Sequence, residues 1–268
     1  MTSPILALTG ISKRFGPVQA LNAVDLQVCA SEVVALVGDN GAGKSTLVKV
    51  IAGVGPADSG EIRWLGQRVS IARPHDAAAL GIATVYQDLS LCNNLDVVAN
   101  LFLGHEVIRF GVLDEIGMER RTRELLATLK VALPSPRMPV SALSGGQRQS
   151  VAVARAMLGS PKLVMLDEPT AALDVKQTTQ VLNLIERLRD QGLGVILISH
   201  NLTNVRAVAD RVVVLRLGHN AGEFATSRTT EQDIVAAITG ASAPAPSRGL
   251  ASGLSKSTAT FSIKERGR

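Results

Sequence analysis

The chain has 268 residues, 46% of them hydrophobic but only 3% aromatic, and a net charge of +5. That length supports one large or two small globular units around an aliphatic core. It contains no apolar stretch of the ~20 residues that cross a bilayer, no charged-then-apolar leader pattern, and only Cys29 and Cys92, without a Cys-x-x-Cys or Cys/His cluster. The expectation is a soluble, cytoplasmic chain with two reduced thiols.

The N-terminal segment, 5–28, reads as short strands around a turn at Phe15-Gly16-Pro17. Residues 32–37 predict a buried strand, and the all-apolar runs Leu163–Leu166 and Val195–Ile198 suit strands buried on both faces, the kind found in parallel sheets covered by helices. A glycine-rich loop and an apolar helical stretch, 47–52, follow residues 32–37 directly. Residues 61–71 are strand-like, 74–80 predict a short helix with Pro74 near its start, and 82–86 another strand. From about 89 to 158 the pattern is mostly helical, with an amphipathic helix over 118–130, a proline-rich loop at 134–139 and a second helix over 147–158. Strand and helix then alternate: strand 163–166, helix 175–190, strand 194–198, helix 201–208 and strand 211–216. The predicted architecture is an α/β core with an N-terminal antiparallel β subdomain and an inserted α-helical subdomain, about 89–158, within one domain of residues 1–240. Residues 241–268 are rich in Ala, Ser, Pro, Gly and Thr and predict a disordered tail. That tail carries Arg248, Lys256, Lys264, Arg266 and Arg268 against Glu265, so most of the net charge sits there. The near-neutral body gives no basic stripe for nucleic acid.

Gly38-Asp39-Asn40-Gly41-Ala42-Gly43-Lys44-Ser45-Thr46 follows a strand and opens a helix, matching G-x-x-x-x-G-K-[ST]. The glycines let backbone N–H groups face phosphate oxygens, and the helix adds its positive end. Lys44 is suited to the β- and γ-phosphates of ATP and the Ser45 hydroxyl to Mg²⁺. The strand Leu163–Leu166 ends in Asp167-Glu168, at the sheet edge where ligands bind. Asp167 is placed to hold Mg²⁺ and Glu168 to accept a proton from attacking water. Together these motifs mark a P-loop NTPase (RecA-like) core. Leu143-Ser144-Gly145-Gly146-Gln147 opens a further helix, with Ser144 a candidate N-cap and the glycine pair a second anion-binding loop.

This last motif, about twenty residues before Asp167-Glu168, resembles the signature motif of the ABC ATPase family. Other residues fall in the family's order. Gln87 resembles the Q-loop glutamine, a catalytic residue and metal neighbour. Ala172-Leu173-Asp174 resembles the D-loop, with Ala171 where a Ser is frequent. His200 resembles the switch histidine, and Phe15 sits where the family stacks an aromatic on adenine. The match spans about residues 5–240.

The resemblance implies two ATP molecules between two ATPase domains. Lys44, Ser45, Gln87, Asp167, Glu168 and His200 of one copy would face Ser144, Gly145 and Gly146 of the other. The other copy is a second chain of this kind or a paralogous subunit. It further implies integral membrane permease subunits docking near 87–104, a solute-binding protein acting indirectly, and a peripheral position on the cytoplasmic face of the inner membrane. A stand-alone ATPase tilts toward import, since exporters commonly fuse permease and ATPase. The stretches Val85–Asp88, Asn94–Asn100 and Ile198–Leu202 look like the ATPases of bacterial ribose, xylose and fructose importers.

Overall fold

The computed structural model describes residues 3–241; the tail expected over 241–268 lies, past Ala241, outside the described residues. Strands β1 (Leu6–Phe15) and β2 (Val18–Val28) form a hairpin in which Phe15 faces Val18 and Lys13 faces Leu21. β3 (Val33–Val37) leads into helix α1 (Lys44–Ile51). β4 (Ser59–Trp64) and β5 (Gln67–Val69) follow, then α2 (Pro74–Leu80) and β6 (Ile82–Val85). The next stretch holds α3 (Val97–Phe102), the hairpin β7 (Ile108–Arg109) and β8 (Val112–Leu113), α4 (Glu115–Thr128) and α5 (Gly145–Met157). β9 (Leu163–Asp167), α6 (Val175–Asp190), β10 (Gly194–Ile198), α7 (Leu202–Val208), β11 (Arg211–Arg216), β12 (His219–Ala225) and α8 (Glu231–Thr239) complete the order.

Two sheets organise these elements. β2-β1-β4-β5 is antiparallel, and the central sheet runs β12-β11-β3-β10-β9-β6, parallel except for β12. The period of two along a strand decides which core each side chain joins. Val33, Ala35 and Val37 point to the side covered by α3 to α8, whereas Val34 and Leu36 point to the side holding α1, α2 and the antiparallel sheet. β9, β10 and β11 alternate the same way: Val164, Val195 and Val212 enter the first core, Met165, Ile196 and Val213 the second. Burial on both faces explains why these strands read as uninterrupted apolar runs, and each buried Val, Leu or Ile contributes roughly 1.5–3 kcal/mol.

The helices follow from caps and apolar stripes. Asp174 caps α6 by accepting from Gln177 N, and Val181, Leu184, Ile185 and Leu188 make its buried stripe. Asp114 caps α4, which buries Met118, Thr122 and Leu126 one above another.

The expectation of a mostly helical stretch over 89–158 needs one correction. Residues 108–113 form a β-hairpin, whose turn puts both Phe110 and Gly111 at positive φ, +52° and +82°. That geometry suits a two-residue hairpin turn, and it leaves Phe110 94% exposed. The helix predicted over 47–52 begins instead at Lys44, which brings the last motif residues into its first turn. β12 and α8 had no counterpart in the expected elements.

Candidate active site

The phosphate loop follows from its backbone. Gly38, Gly41 and Gly43 have φ of +148°, +81° and +104°, which L side chains adopt only under strain. A Cβ on Gly38 would stand 2.1 Å from the Leu215 carbonyl oxygen, and one on Gly43 2.8 Å from that of Ala20. A Cβ on Gly41 would meet nothing within 4 Å, so the loop's middle faces open space. Asp39 and Asn40 are exposed, and Ala42 N donates to Asp39 O at 3.1 Å, closing the turn. α1 starts on Gly43 with no side-chain cap. The first N–H groups of that helix, at Lys44, Ser45 and Thr46, are therefore free for an anion.

Lys44 Nζ donates to Gly38 O at 2.6 Å and to Asp39 O at 3.0 Å. Burial pushes its ammonium pKa down, opposed by the nearby charges of Glu168, Asp39 and Asp167. β9 delivers Asp167 to the same place. Burial and the neighbouring Glu168 raise its carboxyl pKa, with Lys44 pulling the other way. A half-buried carboxylate disfavoured in its charged form suits a cation partner. Tyr86, one residue past β6, also feels Asp167: burial first and that charge second raise its phenol pKa. Exposed Gln87 follows it.

Glu168 leaves β9 with φ +49°, an unusual conformation for a non-glycine residue. It is held there by donating its N–H to Ile198 O at 3.0 Å and by accepting from Ala171 N at 3.1 Å. This strained turn aims the carboxylate at His200, whose Nδ1 lies 2.9 Å from Glu168 Oε2. Glu168 is 15% exposed and His200 74%. His200 follows β10 and precedes Asn201, which caps α7 by accepting from Asn204 N. Asn204 Nδ2 also donates to Thr170 Oγ1 at 3.1 Å, joining the segments after β9 and β10.

Ser144, Gly145 and Gly146 form a second group. Ser144 caps α5 by accepting from Gln147 N, while its own N–H donates to the Gln147 side chain at 2.9 Å. Both glycines are closely packed: a Cβ on Gly145 would stand 2.7 Å from Leu173 Cδ2, the end of a flexible side chain, and one on Gly146 3.1 Å from Gln177 Cβ. Asp174 binds Gln177 through both backbone and side chain, so it belongs to this group. Phe15 ends β1, 53% exposed, with Lys13 Nζ 5.6 Å from its ring centroid. Its hairpin runs through Leu21, whose side chain lies against Gly43.

The structure thus joins Lys44, Asp167, Glu168 and His200 in one cluster. It places the Ser144 loop with Asp174 in another. Sequence reasoning missed Asn100 and Arg155. Asn100 is fully buried and binds Cys92 N and the carbonyls of Cys92, Leu95 and Asp96. A polar residue inside an apolar helical stretch was the available signal in both cases.

An ABC transporter family model matches residues 21–171. The xylose/arabinose import ATP-binding protein of Sulfolobus acidocaldarius is 43% identical over 237 residues, 88% of this chain and 94% of that protein. The fructose import ATP-binding protein of Rhizobium meliloti is 43% identical over 90% of this chain and 96% of its own length. A ribose import ATP-binding protein of Rubrobacter xylanophilus is 42% identical over 82% of this chain but only 44% of its own length. Among solved structures, an ATP-binding cassette of an ABC transporter in its ADP conformation superposes with a TM-score of 0.77 at 26% identity, covering 89% of this chain and 96% of that one. Phosphate loop, carboxylate pair, signature loop, fold and relatives agree: the chain belongs to the ABC transporter family, as one of its ATP-hydrolysing cassettes.

Proposed function

We propose that this chain energises import of a monosaccharide, working as a pair of ATPase subunits beneath separate permease subunits on the cytoplasmic face of the membrane. The observation that carries the ATPase reading is the Glu168–His200 contact beside Lys44 and Asp167. The sugar assignment rests on the names of relatives that match along nearly their whole length.

The phosphates of ATP fit the uncapped start of α1 and the open space over Gly41. Lys44 would exchange its loop carbonyls for phosphate oxygens, and Phe15 would offer its ring to adenine. Ser45 and Asp167, with Gln87 nearby, would hold Mg²⁺, which when bound neutralises charge on the phosphates. The raised pKa of Asp167 fits that role. Glu168 would take the proton of attacking water, and His200 would orient that carboxylate. Ser144, Gly145 and Gly146 would meet the γ-phosphate of the other copy, with Asp174 at the same face. ATP then binds the closed pair better than the open one, and hydrolysis releases it.

A groove of about 520 Å³, lined by Ala77, Tyr86, Phe102, His105, Arg121 and Arg155, adjoins the 87–104 segment. It would receive a cytoplasmic segment of the permease. No helix among the described residues is long and apolar enough to cross a membrane, which fits a peripheral subunit.

The test is affinity purification of the tagged chain from gently solubilised host membranes, followed by uptake assays. Co-purification of a polytopic permease, and loss of uptake of one monosaccharide on Lys44→Ala, is the expected result. Recovery with soluble partners alone would overturn the transport reading while leaving the ATPase chemistry standing.

A further inference from the structure

The segment carrying Gln87 is pinned at three places. β6 holds it up to Val85 by pairing with Leu166 of β9. At the far end, the buried Asn100 gathers Cys92, Leu95 and Asp96. Between them, the Arg155 guanidinium donates from Nη1 to Ser90 O at 2.8 Å and from Nη2 to Leu89 O at 2.6 Å. Ser90 has φ +50°, and Asp88 Oδ1 accepts from Ser90 N at 3.0 Å, so the carbonyls are presented by a tight local turn. Only Tyr86, Gln87 and Asp88 lie between β6 and the Arg155 clamp.

Arg155 is an odd residue for its position. It sits near the end of α5, next to Val151, Ala152, Val153 and Ala154, all buried. Its guanidinium is half-buried, and desolvation pushes its pKa down. Backbone carbonyls, not a carboxylate, satisfy it. A planar fork that reaches two adjacent carbonyls holds orientation as well as distance, which a lysine ammonium does not. At its other end, about 16 Å away along the axis, α5 is capped by Ser144 of the signature loop.

We propose that Arg155 is a positioning residue that ties the Gln87 loop to the signature helix, so that the loop beside the Mg²⁺ site and the loop facing the partner copy move as one body. A shift of α5 on docking or closure is then delivered within two residues of Gln87. Because Arg155 also lines the groove assigned to the permease, the same side chain would feel what occupies that groove. This inference rests on the role given to Gln87 above.

A double-mutant cycle on the full chain tests it, with steady-state ATP turnover measured for Gln87→Ala, Arg155→Ala and the double variant. If Arg155 acts through Gln87, Arg155→Ala lowers kcat by about 10-fold with KM within about twofold, and the double variant matches Gln87→Ala within about twofold. Arg155→Lys, which retains one of the two contacts, gives intermediate turnover and serves if the alanine variant does not fold. Multiplicative losses in the double variant would overturn the relay and leave Arg155 a packing residue. Wild-type turnover in Gln87→Ala would overturn both the relay and the role of Gln87. The ATPase reading would still stand or fall separately on Glu168.

Discussion

His200 Nδ1 lies 2.9 Å from Glu168 Oε2, and the two residues come from the ends of neighbouring parallel strands, β10 and β9. The pairing Ile198–Asp167 sets them side by side, and the positive φ of Glu168 turns its carboxylate toward the imidazole. Strain of that kind costs about 1–3 kcal/mol and is kept where geometry matters. His200→Ala should therefore lower kcat by about 10²-fold or more, with ATP binding to the single chain little changed. Steady-state turnover alongside nucleotide titration checks this.

Asp167 makes the pH prediction. Its folded pKa is raised, by burial and by Glu168. A raised carboxyl pKa means the ionised form costs stability at neutral pH. That cost disappears as pH falls through the raised pKa toward the unfolded value. Asp167→Asn should thus raise the Tm of the nucleotide-free chain at neutral pH, by about 2–4 °C for each kcal/mol relieved. The gain should shrink on acidification, and Mg²⁺-dependent turnover should be lost. Calorimetry across pH, with and without Mg²⁺, reads both effects.

Gly38 and Gly41 belong to one motif but should respond differently. At Gly38 an added Cβ meets the backbone oxygen of Leu215 at 2.1 Å, and backbone does not yield cheaply. Gly38→Ala should cost more than about 2 kcal/mol of stability. At Gly41 the space is open and only the positive φ resists, so Gly41→Ala should cost about 1 kcal/mol. Urea denaturation of both variants makes the comparison.

Arg211 holds three segments together. Nε contacts Glu32 Oε1 at 2.9 Å, Nη1 contacts Glu223, and Nη2 donates to Gln27 O at 2.6 Å. Glu32 is largely buried and also accepts from Cys29 N. Removing the arginine leaves that carboxylate unpaired. Arg211→Ala should cost about 3 kcal/mol, whereas Glu124→Ala, from an exposed pair with Arg120, should change stability by less than about 0.5 kcal/mol. Thermal melts distinguish them.

Much of the central sheet was legible in the sequence because β3, β9, β10 and β11 bury both faces and so read as short apolar runs. α2 and α6 were legible to the residue, α2 because Pro74 marks its start; Asp174, read as a D-loop residue, also proves to cap α6. The 108–113 hairpin was not, since its strands are two residues long and its turn places a phenylalanine where Asn or Asp is usual. β12 was missed because it is an edge strand with no clean alternation, its course set by pairing with β11. The nucleotide motifs were legible because loop chemistry demands particular residues at fixed spacing. The glycines of the signature loop were read as freeing N–H groups; their close packing against Leu173 and Gln177 is visible only in the folded structure. Arg155 and Asn100 escaped because their partners are backbone groups, so a lone polar residue in an apolar helical stretch was the one trace each left in the sequence.

On the proposed mechanism, two copies close over ATP and Glu168 ends the closed state by hydrolysis. Light scattering on Glu168→Gln, with and without Mg²⁺-ATP, tests it most directly. The variant should be monomeric without nucleotide and a stable dimer with ATP, and Ser144→Arg added to it should abolish the dimer while leaving ATP binding to the single chain. A Glu168→Gln chain that turns over ATP at the wild-type rate, or stays monomeric in saturating ATP, would contradict the account.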